Sequence, residues 1–283
     1  MPIITATIAE TRGALPKDRT IGLVPTMGAL HAGHAALLRQ ARRECDFVAA
    51  SIFVNPIQFG PNEDFHRYPR PFDADVEICR QENVDLIFHP APDEIYPAGY
   101  QSFVEVGDLT KTLCGASRPG HFRGVATVVL KLFQIVQPEF AYFGRKDAQQ
   151  VRVLRRMVED LNVPVKIVVC PIVREADGLA MSSRNKYLAP SQRSQAVVLH
   201  QALEEVRRLF ATGERSSTAL REAALRVIAT ASEAKVDYVE IVDWKTLTPI
   251  SELRGEFLVA LAVHFGTTRL IDNWVFTAET DSR

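Results

Sequence analysis

Several hallmarks of specialised protein classes are missing from this sequence of 283 residues. It contains no run of about 18 apolar residues, which a membrane-spanning helix would need. Its first residues lack the basic segment and apolar core of a secretory signal. We therefore expect a cytoplasmic protein with no membrane partner.

Charge of one sign and paired cysteines are missing too. Lysine and arginine number 33 and aspartate and glutamate 34, which gives a net charge of −1. Nucleic-acid binders usually carry a basic excess or a basic stripe, so no nucleic-acid partner is expected. The absence of a C-x-x-C pair argues against a zinc knuckle or a disulfide framework. Free, buried thiols are expected at Cys45, Cys79, Cys114 and Cys170.

What the sequence does contain is an ordinary globular composition, 47% hydrophobic and 24% charged. Up to about residue 170, apolar segments alternate with helical patterns, which predicts an α/β fold with a doubly wound, Rossmann-like parallel sheet. The predicted strands are Thr20–Pro25, Phe47–Val54, Val84–His89, Phe103–Val106, Phe140–Phe143 and Val165–Cys170. The predicted helices are His34–Glu44, Asp73–Asn83, Val125–Val136 and Ala148–Leu161.

The pattern changes after about residue 185. A helix is predicted from an N-cap at Ser191 to Thr212, with Gly213 at its end, and a second helix at Ser217–Ala234. Three strands follow without long helices between them, which favours a small antiparallel sheet. These strands are Val236–Val242, Glu256–Phe265 and Thr268–Ile271. We predict two domains, residues 1–184 with the parallel sheet and residues 185–283 as a smaller α+β lid, with a frayed tail from Thr277.

The first motif with chemical potential is Pro25–His34, directly after a predicted buried strand. Strong helix formers follow, so His31 and His34 lie three apart on one face of a helix N-terminus. Backbone amides and the helix dipole attract phosphate there, and Gly28 and Gly33 leave room for a nucleotide. Taken alone, the motif is equally a plain strand–loop–helix turn with two solvated histidines.

Two further loops carry cations or hydroxyls after predicted strands. Phe143–Gln150 brings Lys146 to the opening of a helix, where an ammonium stabilises charge that develops on a transferring phosphate. Met181–Asn185 offers two hydroxyls and the Arg184 guanidinium, which suit phosphate oxygens. Ligands of doubly wound sheets bind at the carboxyl ends of strands, although a serine-rich loop by itself is usually just a loop.

Neutral polar groups follow the second predicted strand. Asn55, Gln58 and Tyr68 supply amides and a phenol, which suit a small polyol acid better than a phosphate; an irregular capped loop is the alternative. The basic segment Ser117–Gly124 leads into the next helix. It either guards an anionic ligand or is an ordinary surface loop.

Taken together, these segments resemble the pantothenate synthetase family, also called pantoate–β-alanine ligases. The resemblance is detailed over about Ile21–Tyr187 and looser beyond it. His31 and His34 match the two histidines of the HxGH signature of nucleotidyltransferases. The matching segments, in order and at fitting spacing, are Pro25–His34, Val54–Gly60, Ser117–Gly124, Gly144–Gln150 and Met181–Asn185.

The resemblance implies roles for individual residues. His34, His31 and Lys146 would be catalytic, and Gln58 and Gln150 would bind pantoate, with Gln58 also near β-alanine. ATP would contact Met27, Gly28, Ala29, Leu30, His31, Ala32, Gly33, His34, Gly144, Arg145, Lys146, Asp147, Val173, Met181, Ser182, Ser183 and Arg184.

Two positions depart from the family's pattern. Arg145 stands where a glutamate or glutamine is more usual, and Ala74 stands where an acid often precedes Asp75. We therefore assign no side-chain ligand to a metal ion.

The resemblance also implies the reaction, an AMP-forming condensation of (R)-pantoate with β-alanine that completes pantothenate synthesis. The pantoate carboxylate would attack the α-phosphate of the co-substrate ATP, giving pantoyl adenylate and diphosphate. The β-alanine amine would then expel AMP. Mg²⁺ would travel on the phosphates, and the resemblance suggests a homodimer.

Three other functions compete with this reaction as explanations of the sequence. A simple nucleotidyltransferase would form no amide and would leave the Asn55–Gln58 segment unexplained. A tRNA synthetase is disfavoured because the chain is short, near-neutral and without a basic anticodon-binding module. A non-catalytic nucleotide sensor would bind ATP without turnover, and Lys146 would then be dispensable.

Overall fold

A parallel sheet organises the first part of the chain in the computed structural model, which describes residues 1–278. Its spatial order is β1-β4-β3-β2-β5-β6, and all of its pairings are parallel. The order runs one way from β2 to β4 and the other way from β5 to β6, so the sheet is doubly wound, as predicted. The strands are β1 (Ile3–Thr5), β2 (Ile21–Thr26), β3 (Phe47–Ile52), β4 (Leu86–Phe88), β5 (Phe140–Gly144) and β6 (Lys166–Cys170).

Helices follow most of these strands and cover the sheet with their apolar sides. Helix α2 buries Leu37 and Leu38 against Val24 and Val48 of the central strands. Burial of such side chains, at about 1.5–3 kcal/mol each, is what holds the layers together. The helices up to residue 160 are α1 (Ile8–Ala14), α2 (Ala32–Glu44), α3 (Phe72–Gln81), α4 (Pro92–Ile95), α5 (Leu113–Ser117), α6 (His121–Val136) and α7 (Ala148–Asp160). Of these, α5 belongs to the second of the two compact units described below.

One predicted strand, Phe103–Val106, is wrong, because this segment has no regular structure. The position beside β4 is taken by β1, which pairs Ile3–Thr5 with Leu86–Phe88. The amide of Val104 donates instead to the Thr127 hydroxyl of α6, at 2.9 Å. A side chain therefore satisfies a backbone group that the prediction had placed in a ladder.

Helix α6 begins at His121, four residues earlier than predicted, and so takes in part of the basic segment. It packs closely on the 3-10 turn Pro56–Gln58. A Cβ atom on Gly124 would lie 2.7 Å from the backbone nitrogen of Gln58, so this approach requires glycine.

The later part of the chain is built on an antiparallel sheet, β7-β8-β9, as predicted. Leu203 and Val206 of α9 and Leu220 of α10 pack with Leu261 of β8 and Leu270 of β9 in one buried core. The elements are α8 (Pro190–Gln195), α9 (Val198–Ala211), α10 (Ser217–Ile228), β7 (Ala234–Asp243), β8 (Gly255–Phe265) and β9 (Thr268–Ala278).

Several details of this part differ from expectation. Helix α10 ends at Ile228, six residues before its predicted end at Ala234, and Ala234 instead begins β7. The single helix predicted from Ser191 is two helices, because the backbone bonding tightens at Ala196, whose carbonyl accepts from Leu199. Ser191 is not a cap; the Gln192 side chain accepts from the Ala189 amide instead. Strand β9 runs seven residues beyond its predicted end at Ile271, since it pairs with β8 along its whole length.

The predicted tail begins within β9, which contains Thr277 and Ala278. Residues 279–283 lie outside the described part of the chain.

The chain forms two compact units. The first comprises Met1–Thr110, Arg118–Arg145 and Gln150–Ile172, and the second comprises Lys111–Ser117, Lys146–Gln149 and the chain from Val173 onward. Lys146 thus belongs to the second unit, although it follows closely after β5 in sequence. The domain boundary at residue 184 and the lid role of residues 185–283 stay predictions.

Two further observations concern the cysteine side chains and the length and apolarity of the helices. All four cysteines are buried and free. Within residues 1–278, no helix is both long enough and apolar enough to cross a bilayer.

Candidate active site

The loop between β2 and α2 is held by a buried carboxylate from α3. Asp75, only 1% exposed, accepts from the backbone amides of Ala29 at 2.9 Å and Leu30 at 2.7 Å. Gly28 and Ala29 both have left-handed backbones, with φ of 79° and 51°. A Cβ on Gly28 would lie 2.9 Å from the Asp75 carboxylate, so only glycine fits. The two amides satisfy a charge whose burial would otherwise be costly.

One turn further along α3 from Asp75, a buried thiol also has a shifted pKa. Burial, and secondarily the negative charge of Asp75, raises the pKa of Cys79 to about 12. Cys79 therefore stays a neutral thiol and packs as part of the core.

His31 and His34 cap the N-terminus of α2 reciprocally. His31 Nδ1 accepts from the Gly33 amide at 3.1 Å, and His34 Nδ1 accepts from the His31 amide at 3.3 Å. The two rings lie 4.2 Å apart, centroid to centroid. Because each Nδ1 accepts a hydrogen bond, these bonds assign the proton of each neutral ring to Nε2. Both histidines therefore carry an N–H donor suited to a phosphate oxygen, at a helix end that already favours anions.

Gln58 is oriented by a chain of polar groups, of which Asn55 is buried and Tyr96 half-buried. Asn55 Nδ2 donates to Gln58 Oε1 at 3.0 Å and to the Gly124 carbonyl at 3.1 Å, while Asn55 Oδ1 accepts from the Tyr96 hydroxyl at 2.9 Å. Burial raises the pKa of Tyr96, so its hydroxyl keeps the proton that it donates. The network leaves Gln58 Nε2 facing the Met27 sulfur at 3.0 Å. Thioether sulfur is a weak acceptor, so this donor can turn to a ligand oxygen at little cost.

The basic segment supports the same glutamine through its backbone. His121 Nδ1 donates to the Gln58 carbonyl at 2.9 Å, and its Nε2 accepts from Arg118 Nη1 at 3.0 Å. Arg118 also forms a two-pronged ion pair with Glu63, at 2.7 and 2.6 Å. Burial raises the pKa of Glu63, but the hydrogen bonds and charge of Arg118 outweigh it and lower the pKa overall. The pair therefore stabilises the fold at neutral pH, and that contribution is lost as the pH falls through the lowered pKa.

In the second unit, Lys146 lies in a 3-10 turn, Arg145–Asp147, that leads into α7. Its ammonium is 3.4 Å from the half-exposed carboxylate of Asp147. This contact is longer than a strong charged hydrogen bond. The ammonium is thus only loosely held by its neighbour.

The loop Met181–Arg184 also lies in the second unit. Ser182 caps a 3-10 helix, Ser183–Tyr187, and its hydroxyl accepts from the Arg184 amide at 3.2 Å. The Met181 amide donates to the Val173 carbonyl at 3.0 Å. Two segments that the resemblance assigns to ATP are therefore joined within one unit.

Sequence reasoning missed the two residues that orient these groups. The sequence marks Asp75 only as the neighbour of a possible metal ligand, and nothing around Tyr96 distinguishes it. The one available signal was an aspartate inside an otherwise amphipathic helix, at a buried position. Within residues 1–278, no three His, Cys, Asp or Glu side chains converge as a metal site would require.

Comparison with known proteins decides the family. The family model for pantoate–β-alanine ligases matches residues 3–275. The chain belongs to this family. Membership confirms the prediction that the chain is an enzyme, a pantoate–β-alanine ligase.

Curated members of the ligase family match along nearly their whole length. The pantothenate synthetase of Thermotoga neapolitana is 56% identical over 259 residues, which is 92% of either chain. That of Moorella thermoacetica is 56% identical over 273 residues, 95% of this chain and 96% of its own.

Two solved structures support the fold. The pantothenate synthetase of Thermus thermophilus has a TM-score of 0.94 at 49% identity, covering 96% of this chain and 98% of its own. The pantoate–β-alanine ligase of Francisella tularensis, solved with β,γ-ATP and β-alanine, has a TM-score of 0.81 at 38% identity. The match covers 97% of this chain and 98% of its own.

Replacing Asp75 by asparagine should loosen the loop that carries the histidine pair. An amide offers one acceptor oxygen for two backbone donors, so one buried N–H loses its partner, at about 1–3 kcal/mol. Denaturant unfolding should show this loss, and the Michaelis constant for ATP should rise. The matched control is Asp73→Asn, an exposed aspartate of the same helix. Equal effects of the two changes would contradict the role given to Asp75.

Proposed function

We propose that this ligase joins (R)-pantoate to β-alanine through a pantoyl adenylate. A carboxylate is a poor electrophile for an amine, so the pantoate oxygen first attacks the α-phosphorus of ATP and diphosphate leaves. The β-alanine nitrogen then attacks the acyl carbon, the C–O bond to the phosphate breaks, and AMP leaves with the electron pair. No covalent bond to the enzyme is needed.

The observation that carries this proposal is the reciprocal capping of His31 and His34. It places both imidazoles, each with the proton of its neutral form on Nε2, at the anion-favouring end of α2. Such preorganised donors stabilise charge that develops on a phosphate as its bonds change. Adenylation develops such charge on the α-phosphate of ATP, whereas a group transfer without a phosphate would not.

We assign the ATP contacts unit by unit, following the family resemblance. In the first unit they are Met27–His34, Gly144 and Arg145. In the second unit they are Lys146, Asp147, Val173 and Met181–Arg184. The Francisella tularensis relative, solved with β,γ-ATP and β-alanine, supports these two compounds as substrates here.

Pantoate is proposed to bind through the amides of Gln58 and Gln150. Gln58 Nε2 is turned toward a weak acceptor, as expected of a donor kept for a ligand. Gln150 is half-buried in the first turn of α7. Neutral amides bond the hydroxyls and the carboxylate of pantoate without fixing the carboxylate in an ion pair that would blunt its attack.

Mg²⁺ is proposed to enter on the ATP phosphates, as part of the substrate. Asp75, the acid nearest to a family position for metal, is engaged with two backbone amides. We further propose a homodimer, on the resemblance alone, and a cytoplasmic location, as expected from the sequence.

Product analysis tests the function as a whole. With ATP, pantoate, β-alanine and Mg²⁺ present, pantothenate, AMP and diphosphate should appear in equal amounts. Formation of ADP would indicate an acyl phosphate instead of an adenylate. A nucleotidyl product without an amide would favour the simple nucleotidyltransferase, and binding of ATP without any turnover would favour a sensor.

Replacing Gln150 by alanine should weaken the binding of pantoate far more than the binding of ATP. The lost amide leaves a pantoate oxygen without its partner, which costs about 1–3 kcal/mol, or roughly tenfold or more in the dissociation constant. Calorimetric titration of each ligand measures this, with Gln81→Ala, an exposed helical glutamine, as the control. Equal losses for ATP and pantoate would refute the assignment.

A further inference from the structure

Lys146 depends on its backbone for its position. The residue lies in a turn of three residues, and its ammonium ends a long flexible stem whose ion pair with Asp147 is loose, at 3.4 Å. A displacement of about 1 Å in a catalytic group can cost on the order of 10²-fold in rate. Whatever fixes the Lys146 main chain therefore bears on catalysis.

A distant strand residue fixes that main chain. Asn273 of β9, 3% exposed, donates from Nδ2 to the carbonyl oxygen of Lys146 at 2.8 Å. Asn273 is itself set firmly, because it pairs with Ala260 in the middle of the β8–β9 ladder. Both partners lie within the second unit. The bond thus ties a short turn to a rigid part of the sheet.

The preceding residue, Asp272, fixes a second segment, the one that contains Val173 and Arg174. Its carboxylate, 2% exposed, receives two hydrogen bonds from Arg174, at 2.6 and 3.0 Å. Arg174 directly follows Val173, whose carbonyl binds Met181. Consecutive strand residues face opposite sides of a sheet, so Asp272 supports this loop from the face opposite to Asn273.

We propose that Asn273 is a positioning residue for Lys146, which fixes the turn from which the ammonium acts on the transferring phosphate. The proposal rests on the proposed adenylation and on the catalytic role in it that the family resemblance implies for Lys146. Asn273 contacts the enzyme's own backbone, so it acts on the reaction through Lys146. Its removal should therefore slow turnover only while the lysine is present.

A double-mutant cycle tests this coupling. The four proteins are the wild type, Asn273→Ala, Lys146→Ala and the double variant, and the measurement is diphosphate release at saturating ATP, pantoate and β-alanine. Asn273→Ala should lower kcat about tenfold or more and leave the KM for pantoate within about twofold. In the Lys146→Ala background the same change should alter kcat by less than about twofold.

Asp272→Asn is the matched control. It keeps a side-chain oxygen for the Asn273 backbone amide, which donates to Asp272 Oδ1 at 2.8 Å, and it weakens the ion pair with Arg174. The factor by which it lowers kcat should therefore be the same in both backgrounds. Asn273→Ser, which keeps a polar group at the position, is the second variant and should show the same dependence on Lys146. Thermal unfolding of every protein separates loss of fold from loss of rate.

Two results would overturn the proposal, and each has a different consequence for the proposed function. If Asn273→Ala lowered kcat by the same factor with and without the lysine, Asn273 would support only the folded structure. The proposed function would then still stand. An unchanged kcat in Lys146→Ala would remove the catalytic role of the lysine, and the positioning role with it.

Discussion

The capture of two backbone amides by the Asp75 carboxylate is the interaction on which the candidate active site depends most. A buried charge is costly without partners, and a left-handed turn at a non-glycine residue is strained, yet each makes the other tolerable here. The carboxylate needs donors that point inward, and the turn at Gly28 and Ala29 presents them. The chain then enters α2 at His31, where the two imidazoles complete the helix end.

The same principle recurs around Gln58. Its side chain is set by Asn55 and Tyr96, and its carbonyl by His121, which Arg118 in turn orients. Gln58, which is proposed to meet the substrates, is thus held by buried and half-buried polar groups, each in a defined hydrogen bond. Such preorganisation avoids reorganisation during the reaction, which suits a ligase that positions two substrates and needs no covalent intermediate.

The sequence predicted the parts of the fold whose signal is local. Long apolar strands and the helices after them were found because their patterns lie within single segments. β1 was missed because three residues carry no pattern, and Phe103–Val106 was predicted wrongly because nothing local shows that β1 fills the edge beside β4. The motifs of the site were located in the same local way. Their supports were not, since Asp75 lies 46 residues from Ala29 and Tyr96 lies 41 from Asn55.

Exchange of labelled diphosphate into ATP tests most directly the claim that the motifs serve a separate adenylation step. With pantoate present and β-alanine absent, the account predicts exchange, because adenylation is a complete and reversible half-reaction. His34→Ala should lower this exchange by about 10²–10³, the usual loss for one preorganised donor. Exchange that required β-alanine would contradict the two-step mechanism, and an undiminished rate in His34→Ala would contradict the role given to the histidine pair.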